Sequence, residues 1–197
     1  FSTAPGSELR PRRITLTLAG RDVEVTTAAG VFSPDHLDWG THVLLSNVPP
    51  PPPGGDLLDL GCGWGPIALN LASESPRATV WAVDVNERAL ELTRRNADEL
   101  GIENINAAMP ADVPEDVTFR TIWSNPPIRV GKAELHDILS TWLPRLAPGG
   151  DAWLVVQKNL GSDSLQRWLE SALPADFSVA RFATNRGFRV LRVRRRP

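Results

Sequence analysis

Asp59, Gly61, Gly63, Gly65 and Asp84 are the first residues in this sequence whose types and spacing can do chemistry, and Asn125, Pro126 and Pro127 are the second group. Asp59 and the glycines sit in Asp56-Leu-Leu-Asp-Leu-Gly-Cys-Gly-Trp-Gly65. Glycine at every second position turns the chain sharply and lets a ligand approach the backbone, where a side chain would block it. The pattern is G-x-G-x-G. A dinucleotide fingerprint would need a third glycine at Pro66. Asp59, two residues before the first glycine, is poorly suited to a pyrophosphate and suits a ligand that carries an ammonium group. Asp84 falls about 20 residues past the glycines, where an acid meets ribose hydroxyls. S-adenosylmethionine has an ammonium, a sulfonium and no phosphate, and these residues suit it. Cys62 within the turn, Val85 after Asp84, and Asn125 complete the expected cofactor-binding set. A tight turn without a ligand would leave the two acids unexplained.

The second group is Asn125-Pro126-Pro127-Ile128. An Asn side-chain oxygen and a neighbouring backbone carbonyl can together grip both N–H bonds of a planar amino group. Proline, with fixed φ and no N–H, stiffens the loop that presents the carbonyl. Gripping both hydrogens draws the nitrogen lone pair out of conjugation and aims it at a methyl donor. No prior deprotonation is needed, and alignment of the two reactants is worth roughly 7–11 kcal/mol. Arg129 and Lys132 flank this loop as expected phosphate contacts. The bland alternative is a rigid loop after a strand, since Asn-Pro commonly starts turns.

The elements that must position these groups follow from periodicity. Leu57 to Leu60 reads as a short strand, and Ile67, Ala68, Leu71 and Ala72 as one face of the helix after the glycines. Ala78 to Val85 is the second strand. Asn86 caps a helix that runs to about Leu100, with Gly101 at its C′ position. Further strands are expected at Ile105 to Met109, Phe119 to Trp123, Ala152 to Val156, Ser178 to Ala183 and Phe188 to Val193. Helices are expected from about Ala133 to Leu146 and from Ser162 to Ala172. Strands alternating with helices imply an α/β fold, doubly wound and mostly parallel, with an antiparallel closing pair. Ile14 to Leu18 and Val23 to Thr27 read as a β-hairpin, so residues 1–29 are expected to form an arm and hairpin before a main domain at 30–197. Gly30 to Thr41 is unlike a simple linker. It is expected either to close over the cofactor or to be an ordinary packed loop, followed by a short helix to Asn47. Pro49 to Pro53 forms a stiff connector.

Three stretches carry a family resemblance: Phe32-Ser-Pro-Asp-His-Leu-Asp-Trp-Gly-Thr41, Asn125-Pro-Pro-Ile-Arg-Val-Gly-Lys132 and Gly187-Phe-Arg-Val190. Together with Asp59-Leu-Gly-Cys-Gly-Trp-Gly65, they resemble the "methyltransferase small" group of class I S-adenosylmethionine-dependent methyltransferases. That group includes ribosomal small-subunit RNA guanine-2-amino methyltransferases and single-domain archaeal relatives. The resemblance implies a Rossmann-like sheet of seven strands with an antiparallel last strand. It implies that Gly61, Gly63 and Asp84 hold the cofactor, and Asn125 and Pro126 the target amino group. The fourth tetrad position is often aromatic and stacks on the base. Here it is Ile128, which shifts stacking elsewhere, to Phe188. Many relatives carry an adenine-binding acid after the third strand, where this chain has Met109-Pro-Ala before Asp112.

Composition narrows the remaining classes. The chain has 197 residues with 42% hydrophobic and 22% charged content, ordinary for one globular α/β domain. No apolar run approaches the ~20 residues of a membrane span. A single cysteine, Cys62, cannot form an internal disulfide and reads as a small filler, which fits a cytoplasmic location. The start lacks both an initiator Met and a signal-peptide core, as in a trimmed chain. The three histidines show no metal spacing, so no metal is expected. Net charge is −2, yet seven arginines and no acid follow from Arg181 onward. With Arg10, Arg12 and Arg13 they are expected to form one basic face for RNA phosphates. Most of the tryptophans are expected to serve packing and not as base platforms, with Trp64 bordering the cofactor. The leading expectation is methylation of an exocyclic amino group, that of guanine in ribosomal RNA. Alternatives are a protein glutamine amide, a small molecule, or a non-catalytic cofactor- or RNA-binding module. A nicotinamide oxidoreductase is disfavoured by Pro66 and Asp59.

Overall fold

Alternation along one strand divides the core in two. Leu58 and Leu60 pack into a cluster with Leu135, Leu139, Leu165 and Leu169. Leu57, one residue out of phase, packs with Val43, Leu44, Ile67 and Leu71. Successive side chains of a strand point to opposite faces, so this strand must be covered on both sides. Full burial of each leucine contributes roughly 1.5–3 kcal/mol.

A computed structural model describes residues 11–127 and 130–197, so residues 1–10, Ile128 and Arg129 lie outside the described residues. The chain opens with a hairpin, β1 (Pro11–Leu18) and β2 (Arg21–Ala28), and then α1 (Trp39–Asn47). The main sheet is built from β3 (Gly54–Leu60), β4 (Arg77–Val83), β5 (Ile105–Ala108), β6 (Phe119–Ser124), β7 (Leu146–Gln157), β8 (Phe177–Asn185) and β9 (Phe188–Arg195). Its helices are α2 (Pro66–Glu74), α3 (Glu87–Glu99), α4 (Lys132–Trp142) and α5 (Ser162–Ala172). The seven strands lie in the order β5-β4-β3-β6-β7-β9-β8. Contacts from β5 through β7 are parallel, and β9 runs antiparallel to both neighbours. This is the expected Rossmann-like, doubly wound sheet with an antiparallel last strand. α1 and α2 cover one face, and α4 and α5 the other. No described helix is long and apolar enough to cross a membrane.

Boundaries moved where local chemistry intervened. β3 is longer than Leu57 to Leu60 and starts directly after the prolines. α4 stops at Trp142, and Leu143–Arg145 tightens into a 3₁₀ turn. Pro144 has no N–H to continue the helix. β4 ends at Val83, not Val85, which frees Asp84 to turn back toward the glycines.

The hairpin sits against α2 and α3 through Leu16, Leu18, Val25, Trp64, Leu69 and Leu92. One side chain the sequence did not flag fastens it. Asn96, fully buried on α3, accepts from the Thr26 N–H at 2.6 Å and donates to the carbonyls of Thr26 (2.9 Å) and Trp64 (3.1 Å). The hairpin and the glycine turn thereby hang on one amide. Asn96→Ala leaves buried backbone groups unpaired and is expected to destabilise the protein by about 1–3 kcal/mol, read by chemical denaturation.

Candidate active site

Two chain segments leave the sheet side by side. β3 pairs with β6 in the register Asp59↔Trp123, which puts Gly61 and Asn125 at neighbouring carboxyl ends. The Ser124 hydroxyl donates to the Leu60 carbonyl at 2.7 Å and locks the two exits together. On the other side, the Gly61 and Cys62 N–H groups donate to the Val83 carbonyl of β4. The strand order doubles back between β3 and β6, and open α/β sheets bind ligands at that switch point.

The three glycines do different work. Gly61 and Gly63 have φ of +79° and +57°, and a Cβ on either would point into open space. They form a bare cradle over which a ligand can lie. Gly65, at φ +97°, instead packs on α3, where a Cβ would meet Thr93 Oγ1 at 2.9 Å. Thr93 also donates to the Gly63 carbonyl at 3.1 Å. Asp84 bridges the turn to the next helix, its two oxygens accepting from the Gly63 and Asn86 N–H groups at 2.9 Å each. Val85 beside it is exposed.

Asp59 is fully buried beneath the start of α2. Its Oδ2 accepts from the Ala68 N–H at 2.8 Å, while Oδ1 has no partner. An unpaired buried carboxylate oxygen beside a bare cradle fits a ligand ammonium or a water that relays to one. Burial pushes this carboxyl well above the usual carboxylate range; the Ala68 N–H pulls it down and the charge of Asp84 pushes it up. Cys62 is buried too, and burial raises its thiol well above its ordinary value, so it stays an inert filler.

Asn125 is held from an unexpected direction. Its Nδ2 donates to Asp38 Oδ2 at 2.7 Å and to Thr41 Oγ1 at 3.1 Å. A carboxylate only accepts, so the amide NH2 must face Asp38, and Asn125 Oδ1 is left to accept from something else. The same Asp38 Oδ2 caps α1, accepting from the N–H groups of Gly40 (2.7 Å) and Thr41 (3.2 Å). Gly40 is the spacer that permits this. A Cβ there would lie 2.8 Å from Asp38 Oδ2, 3.1 Å from Phe188 Cε1 and 3.2 Å from Asn125 Nδ2. The expected base-contact residue Phe188 therefore does lie against the site.

One cavity is shared by Asn125, Asp38, Thr41, Gly61, Gly63 and Phe32. Phe32 is 50% exposed, and Ser33 next to it is held at φ +47°, a conformation costly for a side-chain-bearing residue. The Trp64 indole N–H donates to the Ser33 carbonyl at 3.2 Å, and Asn86 Nδ2 to the Gly30 carbonyl at 2.9 Å. Phe32 and Ser33 of the Gly30 to Thr41 segment thus line the cavity. Trp64 is buried among hairpin residues, anchors that segment, and also contributes to the lining of the cavity.

Lys132, exposed at the start of α4, borders a neighbouring cleft with His136 and Leu160, and the structure does not bring it to the Asn125 cavity. Ile128 and Arg129 lie outside the described residues. Among the described residues the arginines do not make one basic face, and Arg10 lies outside them. Arg12 and Arg13 sit on the hairpin, whereas the tail arginines belong to β8 and β9 at the far edge of the sheet. Most are paired with acids distant in sequence. Arg192 and Arg194 meet Asp151, Arg195 meets Asp176, and Arg181 and Arg189 meet Asp163. Sequence reasoning also missed Asp38 and Thr41. The signal available was the Asp-x-Gly-Thr helix start, which reads as a cap and not as an Asn partner. Among the described residues no cluster of His, Cys, Asp or Glu is placed to hold a metal.

Residues 22–192 match the methyltransferase small domain family. The chain is 36% identical over 173 residues to the Bacillus subtilis protein YbxB, covering 86% of each. It is 32% identical over 163 residues to ribosomal RNA small subunit methyltransferase C of Shewanella amazonensis, covering 81% of this chain but 47% of that one. Among solved structures, the T. thermophilus 16S rRNA N2 G1207 methyltransferase in complex with AdoMet and guanosine superposes with a TM-score of 0.81 at 24% identity. The match covers 98% of this chain and 52% of that chain, and at this identity it concerns the fold. The chain thus spans about half the length of these two methyltransferases.

Asp59 gives a pH test. Its folded-state affinity for a proton exceeds that of the unfolded chain, so the native state binds more protons across that interval. Stability of the ligand-free protein therefore falls as pH climbs from the ordinary carboxylate range through the raised value. Denaturation midpoints measured across pH are expected to lose this downward component in Asp59→Asn, which keeps an acceptor for Ala68.

Proposed function

The chain belongs to the methyltransferase small domain family, and on that premise we propose that it transfers the methyl group of S-adenosylmethionine to an exocyclic amino nitrogen, that of guanine in ribosomal RNA. The observation that carries this reading is the fixed rotamer of Asn125. Asp38 and Thr41 occupy its NH2, and its Oδ1 is left to accept within the cavity that also holds the glycine cradle.

The residues fit the donor. The bare faces of Gly61 and Gly63 would receive it, Asp84 at the end of β4 would meet its ribose hydroxyls, and Asp59 with its unpaired oxygen would answer the ammonium. When bound, S-adenosylmethionine supplies an electrophilic methyl carbon on a sulfonium. Asn125 Oδ1 accepts one N–H of the target amino group and the Pro126 carbonyl accepts the other. Pro127 keeps that carbonyl in place. This grip turns the nitrogen lone pair toward the methyl carbon. With the cofactor bound, transfer to that lone pair would form the C–N bond as the C–S bond breaks, the sulfur would keep the bonding pair, and the nitrogen would release one proton to water. The chain thus contributes orientation and electrostatics, without a general base. Phe32 and Phe188 supply apolar walls for a planar base where Ile128 offers no ring.

The relative that methylates small-subunit ribosomal RNA supports the substrate class, and the reading places the enzyme in the cytoplasm. The direct test incubates the protein and tritiated S-adenosylmethionine with ribosomal subunits, total RNA and a protein extract from a host lacking the gene. Label released from ribosomal RNA as a methylguanosine is expected. A glutamine amide presents the same planar NH2, so label confined to protein would replace RNA as the substrate.

Two substitutions separate binding from chemistry. Asn125→Ala is expected to keep cofactor affinity near normal by calorimetry while turnover drops about 100-fold or more. Asp84→Ala should weaken cofactor binding about 10- to 100-fold with circular dichroism unchanged.

A further inference from the structure

Seven tryptophans occur in the chain, and Trp39 is the only one classed as exposed, at 49%. Trp64, Trp123, Trp142 and Trp153 are buried, and Trp81 and Trp168 are half-buried. An exposed indole forgoes burial worth more than almost any other side chain can offer. Trp39 lies between Asp38, which holds Asn125, and Gly40, whose backbone abuts both Asn125 and Phe188. Trp39 is thus the chain neighbour of Asp38, which lines the cavity, while its own exposed ring packs edge-on to His42 outside that lining.

A second observation comes from the other end of the chain. Arg186, at the tip of the β8–β9 hairpin, is held at φ +48° and is exposed. Its guanidinium carbon lies 4.4 Å from the Trp39 ring centroid. Arg181, Arg189, Arg192, Arg194 and Arg195 each meet an aspartate, whereas Arg186 has no carboxylate partner among the described residues. Its charge is thus available where the charges of its neighbours on β8 and β9 are neutralised. Two residues on, the same hairpin places Phe188 against Gly40.

We propose that Trp39 and Arg186 form a binding site for the nucleotide that flanks the target in single-stranded RNA. The flanking base stacks on the exposed indole, and its phosphate meets the guanidinium. Exposed aromatic rings interleaved with arginine are how proteins hold single strands without choosing sequence. Such a site holds the strand while the neighbouring base enters the Asn125 cavity, and it favours loops over paired helices, where a base would first have to be flipped out. It replaces the broad basic face expected from the arginine count with one local contact. This inference rests on the RNA reading proposed above.

The test titrates a fluorescein-labelled, guanine-containing short single-stranded RNA by anisotropy at several salt concentrations, beside calorimetry with S-adenosylmethionine. It also measures methyl transfer to ribosomal subunits. Trp39→Ala is expected to weaken RNA binding about tenfold, and Trp39→Phe to restore most of it. Arg186→Gln is expected to weaken binding and to flatten the slope of log affinity against log salt by about 0.7, the loss of one single-strand phosphate contact. Cofactor affinity should not change in any of the three. If Trp39→Ala and Arg186→Gln lower thermal stability but match the parent in RNA affinity and salt slope, the pair is a structural fastener and the proposal falls. If the unmodified protein labels RNA and both variants equal it in transfer and RNA affinity, the site is likewise refuted while the RNA reading stands. If the unmodified protein neither binds nor labels RNA, both readings are overturned.

Discussion

A single oxygen atom, Asp38 Oδ2, holds the site in order. It accepts three N–H donors, two from the first turn of α1 and one from Asn125. The first two are an ordinary helix cap, a local interaction between neighbours in sequence. The third reaches across 87 residues. A charge-assisted bond to a carboxylate is among the stronger hydrogen bonds a protein makes, and here it also determines which end of an amide faces the cavity. Without it, either end of the Asn125 amide could face the cavity, and only the oxygen end can accept an amino hydrogen.

The rest of the fold brings the parts to that atom. The parallel pairing of β3 and β6 sets the glycine turn next to the Asn125 loop, and Ser124 ties their ends. The two-sided core fixes the sheet between α1 and α2 on one face and α4 and α5 on the other. Against this apolar background the unpaired Asp59 oxygen stands out. The fold tolerates a buried acid with a raised pKa because one of its oxygens also serves the start of α2. The hairpin, fastened by Asn96, steadies the turn from outside through Trp64.

Local signals were legible in the sequence. The glycine spacing, the acid after β4, the Asn-Pro-Pro loop and the helix caps at Asn86 and Gly101 each depend on a few adjacent residues, and their places in the fold were as expected. Pairings between distant residues were not legible. Nothing near Asp38 in sequence announces Asn125. The arginine count after Arg181 suggested free positive charge, because the acids that neutralise it lie 18 to 43 residues away on other strands and helices. Neighbouring residues also do not tell which indole the hairpin will cover, or that the first side chain of α1 stays exposed.

The doubly used oxygen of Asp38 ties the working site to the mobility of a helix end. Helix ends open locally at far lower free energy than the whole molecule unfolds. In most folds, fraying of a first turn leaves catalysis untouched. Here the cap that releases when α1 frays is the same atom that aims Asn125, so each such opening is also a brief loss of alignment. On the proposed mechanism, methyl transfer is bounded by the stability of one turn of α1, well below the limit set by the core, and heating or denaturant would silence it while the sheet remains intact.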